Sequence, residues 1–257
     1  MSWTKEEIVI LKDSYGKMPS TKMPLNKKSA TIRAMANRLG LEINTQKSYG
    51  KYFYDTDFFS EPNIINSYYA GFIAADGCIT QYSKKRYGLE IKIQKRDERI
   101  LQNFKKDVHF TGPISFVKRA LPNYQDCVRI RISLDDRTLN DLKHHFNITP
   151  QKSNILKPPL INNINALSFI IGYIDGDGWI SKNPDVVGAI GTYDLLGWIK
   201  EKFDILVPNQ HYKISKVNYK YKNQGHYIVE GERARNLVRN LNKINVPIKL
   251  ERKWNKI

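Results

Sequence analysis

Two aspartates, Asp76 and Asp177, each stand directly before a glycine at the end of an apolar, glycine-containing stretch, and they lie 177 − 76 = 101 residues apart. Each stretch reads as a helix, Ser67 to Asp76 in one case and Asn165 to Asp177 in the other. Small residues recur four apart, Gly71 with Ala75 and Gly172 with Gly176, so on a helix they share one face. Two such faces let two backbones approach closely and would bring both carboxylates together. Carboxylates at adjoining helix C-termini, where the dipoles are also negative, repel one another unless a cation lies between them. Mg²⁺, with Mn²⁺ able to substitute, suits that need, because it takes a few carboxylate oxygens and keeps places for water and phosphate oxygens. A water activated on such an ion hydrolyses phosphodiesters. The main-chain oxygens of Gly77 and of Ala75 or Gly176 are further candidate ligands. The competing reading is a structural repeat whose aspartates merely end helices, since Asp-Gly is common at turns. Recurrence at matching points of two halves favours a shared metal site.

Composition points the same way. The chain of 257 residues carries a formal charge of +17, from 42 Lys plus Arg against 25 Asp plus Glu, spread along its whole length. That distribution predicts an extended cationic surface for a polyanion rather than a basic tail. The hydrophobic content of 41% supports a real apolar core. Cys78 and Cys127 form no C-x-x-C pair and no cluster with zinc spacing, which excludes a disulfide framework and structural zinc. No apolar run reaches membrane-spanning length and the first residues lack a signal-peptide pattern, so the expected location is intracellular, in the cytoplasm or nucleoid of a bacterial or phage-infected cell or in an organelle, without a membrane partner.

These helices must be positioned by a duplicated scaffold. Residues 1–44 read as a small helical unit: Thr4 and Glu7 form a capping box, Ile8, Leu11 and Tyr15 follow at helical spacing, and Ser29 to Leu39 is a second helix stopped by Gly40. The unit resembles helix-turn-helix or Myb-like modules, whose last helix enters a groove, with Lys27, Lys28, Thr31, Arg33 and Arg38 near phosphates or base edges. Residues 45–59 read as a linker. Residues 60–153 then give helix, two strands, helix, two strands, helix. The helix start is placed at Ser60-Glu61-Pro62, and the strands are Cys78–Tyr82, Gly88–Gln94, Ile114–Lys118 and Cys127–Ser133. A connector spans 154–164. Residues 165–257 repeat the order, with strands at Trp179–Lys182, Asp185–Ile190, Tyr212–Val217 and His226–Glu230. The predicted class is α+β, two pseudo-symmetric αββαββα halves plus the N-terminal helical unit.

The two stretches Ala70-Gly71-Phe72-Ile73-Ala74-Ala75-Asp76-Gly77 and Ile171-Gly172-Tyr173-Ile174-Asp175-Gly176-Asp177-Gly178 resemble the paired motifs of single-chain LAGLIDADG homing endonucleases, and the likeness covers roughly residues 60–257. The resemblance implies a saddle of two antiparallel sheets straddling double-stranded DNA, site-specific cleavage of both strands with a divalent metal, and a monomer that needs no protein partner. Asp76 and Asp177 match the family's metal ligands. The first acidic position of the motif is Asp175 in one copy and Ala74 in the other, which the resemblance places outside the metal site. It also implies a lysine near each scissile phosphate, for which Lys152 and Lys253 are the matches. Gln94 resembles a position that holds a metal-bound water, with Gly191 as its expected counterpart.

Strict alternation decides which side chains would face DNA. If Leu89, Ile91, Ile93, Val128, Ile130 and Ile132 face the core, then Glu90, Lys92, Gln94, Arg129, Arg131 and Ser133 face outward. Lys182, Lys213 and Ser215, with Tyr219 and Lys220, are the analogous candidates in the second half. The halves differ outside the motif helices, so the target is expected to be long and asymmetric. The alternatives are a catalytically silent DNA-binding regulator, against which both retained aspartates argue, and an intron RNA maturase on the same scaffold. An intein is not expected, because no terminal nucleophile or His-Asn ending is present. His144-His145 has no Asn/His constellation of a histidine nuclease and reads as a helix-surface pair.

Overall fold

The computed structural model describes residues 3–15, 23–41, 52–84, 86–118, 125–208, 214–216, 223–246 and 248–255. At its centre lie two helices, α3 (Ile64–Asp76) and α6 (Asn163–Asp177), one from each half. Both are apolar on all sides because both are enclosed: α3 is buried from Asn66 to Ala74 and α6 from Ser168 to Asp175. Gly71 and Gly172 make the contact. A Cβ on Gly71 would lie 1.9 Å from the Phe169 carbonyl oxygen, and one on Gly172 would lie 2.0 Å from that of Tyr68. A 101-residue shift exchanges these two contacts, as a two-fold relation between the helices requires. Asn165 Nδ2 donates to Pro62 O (2.8 Å) and Ser168 Oγ to Ile64 O (2.5 Å), fixing the other end of the pair.

The first motif helix starts later than its proline implied. Asn63 is the N-cap, accepting from the Ile65 and Asn66 amides, and the Asn66 amide group donates to Phe58 O and Glu61 O, which holds the turn at residues 56–60 instead. Asn162 caps α6 in the same way.

Each helix leads directly into a sheet. β1 (Gly77–Ser83), β2 (Arg86–Gln94), β3 (Ser115–Val117) and β4 (Cys127–Leu134) form one antiparallel sheet in the order β1-β2-β4-β3. α4 (Glu98–Asp107) and α5 (Asp136–Phe146) follow β2 and β4. β5 (Gly178–Ile180), β6 (Val186–Gly191), β7 (Ser215–Lys216) and β8 (Gly225–Glu230) repeat the order as β5-β6-β8-β7, with α7 (Tyr193–Leu206) and α8 (Gly231–Asn242). This is the expected α+β arrangement. Leu89, Ile91, Ile93, Val128, Ile130 and Ile132 are all buried, as their alternation required. Strand β5 stops at Ile180, so Lys182 lies in the exposed β5–β6 turn, where Ser181 Oγ donates to Asp185 (2.6 Å).

Residues 52–59 are not a loose linker: Tyr54 and Phe59 are buried in the main core, and the Tyr54 hydroxyl donates to Asp135 and Thr138 at the start of α5. The N-terminal helices α1 (Lys5–Ser14) and α2 (Ser29–Arg38) have a separate core of Leu11, Met23, Ile32 and Ala36. The Thr4–Glu7 capping box is present. Beyond α8 a four-residue helix, α9 (Glu251–Trp254), closes the chain's described part. Among the described residues no helix is long and apolar enough to cross a membrane.

The close approach of α3 and α6 has a measurable consequence. Gly71→Ala and Gly172→Ala each force a methyl into a backbone carbonyl, and each should lower the unfolding free energy by roughly 3 kcal/mol in urea titrations. Gly197→Ala in α7, where a Cβ meets nothing within 4 Å, should instead be neutral or stabilising by up to about 1 kcal/mol.

Candidate metal centre and nucleic-acid face

Asp76 and Asp177 are the last residues of α3 and α6, and the paired small residues bring those ends together. A Cβ on Gly176 would lie 2.3 Å from the Ala75 Cβ and 3.2 Å from Asp76 Oδ2, so the first carboxylate rests against the residue preceding the second. Both aspartates keep solvent-exposed surface although protein surrounds them, as at the floor of an open cleft. Removal from water pushes the Asp76 carboxyl up to about 6, the Asp177 charge adds to this, and Lys253 and Lys152 oppose it. Asp177 is also raised by burial and relieved by Lys152 and then Lys253. The repulsion between the two carboxylates is mutual, and the first proton taken up by the pair relieves both.

Lys152 and Lys253 are separated by the same 253 − 152 = 101 residues. Their ammonium groups bind main-chain oxygens at the helix ends. Lys152 donates to Gly77 O (2.6 Å), and Lys253 to Ile174 O, Asp175 O and Gly178 O (2.7, 2.8 and 2.8 Å). Both lysines are 7% exposed. They satisfy carbonyls that a helix C-terminus leaves orphaned and set positive charge against the negative ends of the dipoles. Burial lowers the pKa of both, that of Lys253 to about 8. Lys253 spends all three N–H groups on carbonyls, so its observed geometry is that of a helix-end clamp and not of a free phosphate contact. Gly77 O, a candidate metal ligand from sequence, is likewise occupied by an ammonium.

The residue that sequence reasoning set aside, Asp175, organises this corner. It is 3% exposed and accepts from Tyr68 OH, the Leu250 amide and Trp254 Nε1, each at 2.8 Å. These bonds hold α9, and so Lys253, against the motif helices. Arg252 makes a bidentate pair with Asp97 (2.7 and 2.7 Å), tying α9 to the opposite half. The mirror segment is tied the same way: Gln224 donates to Ser153 O, Asn223 to Asn154 O and Thr192 to Leu156 O. The signal in the sequence was an ionisable side chain within an otherwise apolar helix, followed 79 residues later by a tryptophan donor.

Gln94 is exposed at the end of β2 and lines one cleft with Asp76, Lys92 and Arg252. Strand register makes its counterpart Thr192 and not Gly191, because Gly77 pairs with Ile91 and Gly178 with Ala189; Thr192 is consumed as the α7 N-cap. Of the outward residues in the first sheet, Lys92, Arg131 and Ser133 are exposed and Arg129 half-buried. Glu90 pairs with both arginines, with Arg131 through Nε and with Arg129 at 3.8 Å. Ser215 is exposed on β7, while Lys213, Tyr219 and Lys220 lie outside the described residues.

In the N-terminal unit Lys28 and Arg38 are exposed, and the Arg33 side chain lies outside the described part of the structure. Lys27 does not fit a free DNA contact. It pairs with Glu7 at 3.0 Å and stacks over Trp3 with its side chain 8% exposed, joining the unit's own packing. The His144–His145 rings lie 5.0 Å apart edge-to-face on α5.

No protein-family model matches the chain, and no curated protein matches it. Solved structures do. The homing endonuclease I-WcaI bound to its DNA recognition sequence is 14% identical, with 85% of this chain and 96% of that chain covered at a TM-score of 0.50. Mesophilic variants of the homing endonuclease I-DmoI are 13% identical over 76% of this chain and 99% of theirs, TM-score 0.49. Full-length DUF199/WhiA from Thermatoga maritima is 14% identical over 75% of this chain and 60% of its own, TM-score 0.47. With glycine-bearing motif helices paired at a pseudo-two-fold interface and an antiparallel four-stranded sheet in each half, this chain has the LAGLIDADG homing endonuclease fold.

Proposed function

We propose that the protein is a site-specific double-strand DNA endonuclease that hydrolyses phosphodiesters with a divalent cation, Mg²⁺ or Mn²⁺, acting as a monomer on a long asymmetric target inside the cell. The observation that carries this reading is the convergence of Asp76 and Asp177 at two packed helix ends, where burial and mutual repulsion leave negative charge unbalanced.

The donor set fits such an ion. Among the described residues no three His, Cys, Asp or Glu side chains gather, so there is no closed protein cage, whereas two carboxylates suit a hard cation that retains water and takes phosphate oxygens. The main-chain oxygens of Ala75 and Gly176, the residues preceding the two aspartates in sequence, are further candidate ligands. The cation, when bound, would lower the pKa of an attacking water and offset charge on the phosphate. The chain's own part is orientation and electrostatics. Asp76 and Asp177 hold the ion, Lys152 and Lys253 set the helix ends and oppose the upward shift of both carboxyls, and Gln94, lining the same cleft as Asp76, would orient water. Lys92, Gln94, Arg129, Arg131, Ser133 and Ser215 offer donors to bases and phosphates, with Lys182 at the sheet margin. Lys28 and Arg38 would add phosphate contacts from the N-terminal unit.

Recovery of cleaved sequences from a random duplex library in Mg²⁺ tests this directly, and cutting that persists in EDTA contradicts it. On a recovered site, Asp76→Asn and Asp177→Asn should each slow cleavage about a thousandfold or more while leaving affinity nearly intact. A pH effect follows from the raised Asp76 carboxyl. Its folded form binds the proton more tightly than the unfolded chain does, so its stabilising contribution is complete below the ordinary carboxylate range and is lost as pH rises through about 6. In chelator, the melting temperature of the wild type should therefore fall relative to Asp76→Asn between about pH 4 and pH 7, and Mg²⁺ should cancel the difference. Deleting residues 1–44 should weaken binding and flatten its salt dependence more than it slows cutting of saturated DNA. Unchanged affinity would reduce that unit to packing.

A further inference from the structure

The two sheets share a register but not an outer surface. One row out from the glycine that ends each motif helix, the first sheet presents Cys78, Glu90 and Arg131 side by side, and the second presents Trp179, Gly188 and Ile228. On the other side of the same reference pair, Lys92, Arg129 and Ser115 are matched by Ile190, His226 and Ser215. These six positions face away from the core in both halves, since their strand neighbours Val187, Ala189, Tyr227 and Val229 are buried in the second sheet as Leu89, Ile91, Ile130 and Ile132 are in the first. A fork of charged donors has thus become an indole flanked by two isoleucines. The Trp179 ring lies on the strand itself, with Cζ2 2.2 Å from where a Gly188 Cβ would be, and Ile190 remains 38% exposed.

An exposed Ile190 beside a half-buried Ile228 and an indole in mid-strand carries a solvation cost that a solvent-facing sheet would not keep without a partner. The partner here is specified by continuity: this face is the two-fold equivalent of the cationic one, in a chain of charge +17, so what lies along one sheet lies along the other. In the major groove the apolar group that distinguishes one base is the C5-methyl of thymine. Resting on the proposed DNA-binding function, we infer that the two half-sites are read by different chemistry: hydrogen bonding through Lys92, Arg129 and Arg131 on one side, and thymine methyl contact through Trp179, Ile190 and Ile228 on the other. His226 and Ser215 supply the polar contacts of that second row.

The experiment uses the full chain and a random-sequence duplex library, followed by affinity measurements on the recovered duplex with deoxyuridine in place of thymidine in one half or the other. Removing the methyl groups from the half under the second sheet should weaken binding about fourfold for each methyl lost from contact, the value of one methylene-sized apolar group. The same replacement in the other half should have little effect. Ile228→Asn assigns the halves, because it should reduce the uracil penalty on its own side by about one methyl's worth, roughly fourfold, and leave the other half's preferences unchanged. Equal penalties in both halves, no penalty in either, or no thymine enrichment would overturn the inference while leaving DNA binding intact. Recovery of no duplex at all would instead overturn the binding function on which it rests.

Discussion

Everything in this molecule depends on how closely two helices can approach. Gly71 and Gly172 put backbone against backbone at the crossing, and the consequence runs in two directions. Toward the core, the contact lets α3 and α6 serve both halves as one shared apolar axis, so neither half needs a complete core of its own. Toward the cleft, it forces two helix C-termini, two macrodipoles and two aspartates into one place. The same packing that stabilises the fold creates an electrostatic problem at its edge.

Half of that problem is met by the protein. Lys152 and Lys253 reach the helix-end carbonyls from inside, and each is delivered by a segment anchored on the opposite half, through Gln224 and Thr192 in one case and Asp97 in the other. Two buried lysines and two clustered carboxylates nearly balance, yet the carboxylates retain open surface and the lysines do not. The remaining negative potential faces outward, toward the cleft that Lys92 and Gln94 line. A cation entering from solvent with a phosphate is the complement of that arrangement.

Much of this was legible in the sequence because it is local or periodic. The alternation of Leu89, Ile91 and Ile93 announced a one-sided strand, Thr4 with Glu7 announced a helix start, and the four-residue spacing of small residues announced a crossing. What escaped was decided at a distance. Four residues are too few to show a helical period, so α9 was invisible, and the role of Asp175 became clear only once Trp254 and Leu250 were seen folded against it. Lys27 looked like a free cation until Glu7 and Trp3 closed around it. The counterpart of Gln94 was misplaced by one residue because register, not strand length, defines equivalence. Proline at residue 62 pointed to an early helix start, but the side chain of Asn66 held that segment in a turn.

Asp76 and Asp177 share one electrostatic site, and carboxyl-carbon NMR titration of Asp76 in metal-free protein reads that coupling out. Asp76 should titrate near 6, move down when Asp177 is replaced by Asn, and move further down when Mg²⁺ is added. An Asp76 that titrates in the ordinary carboxylate range and responds to neither change would mean that the two carboxylates do not share a site.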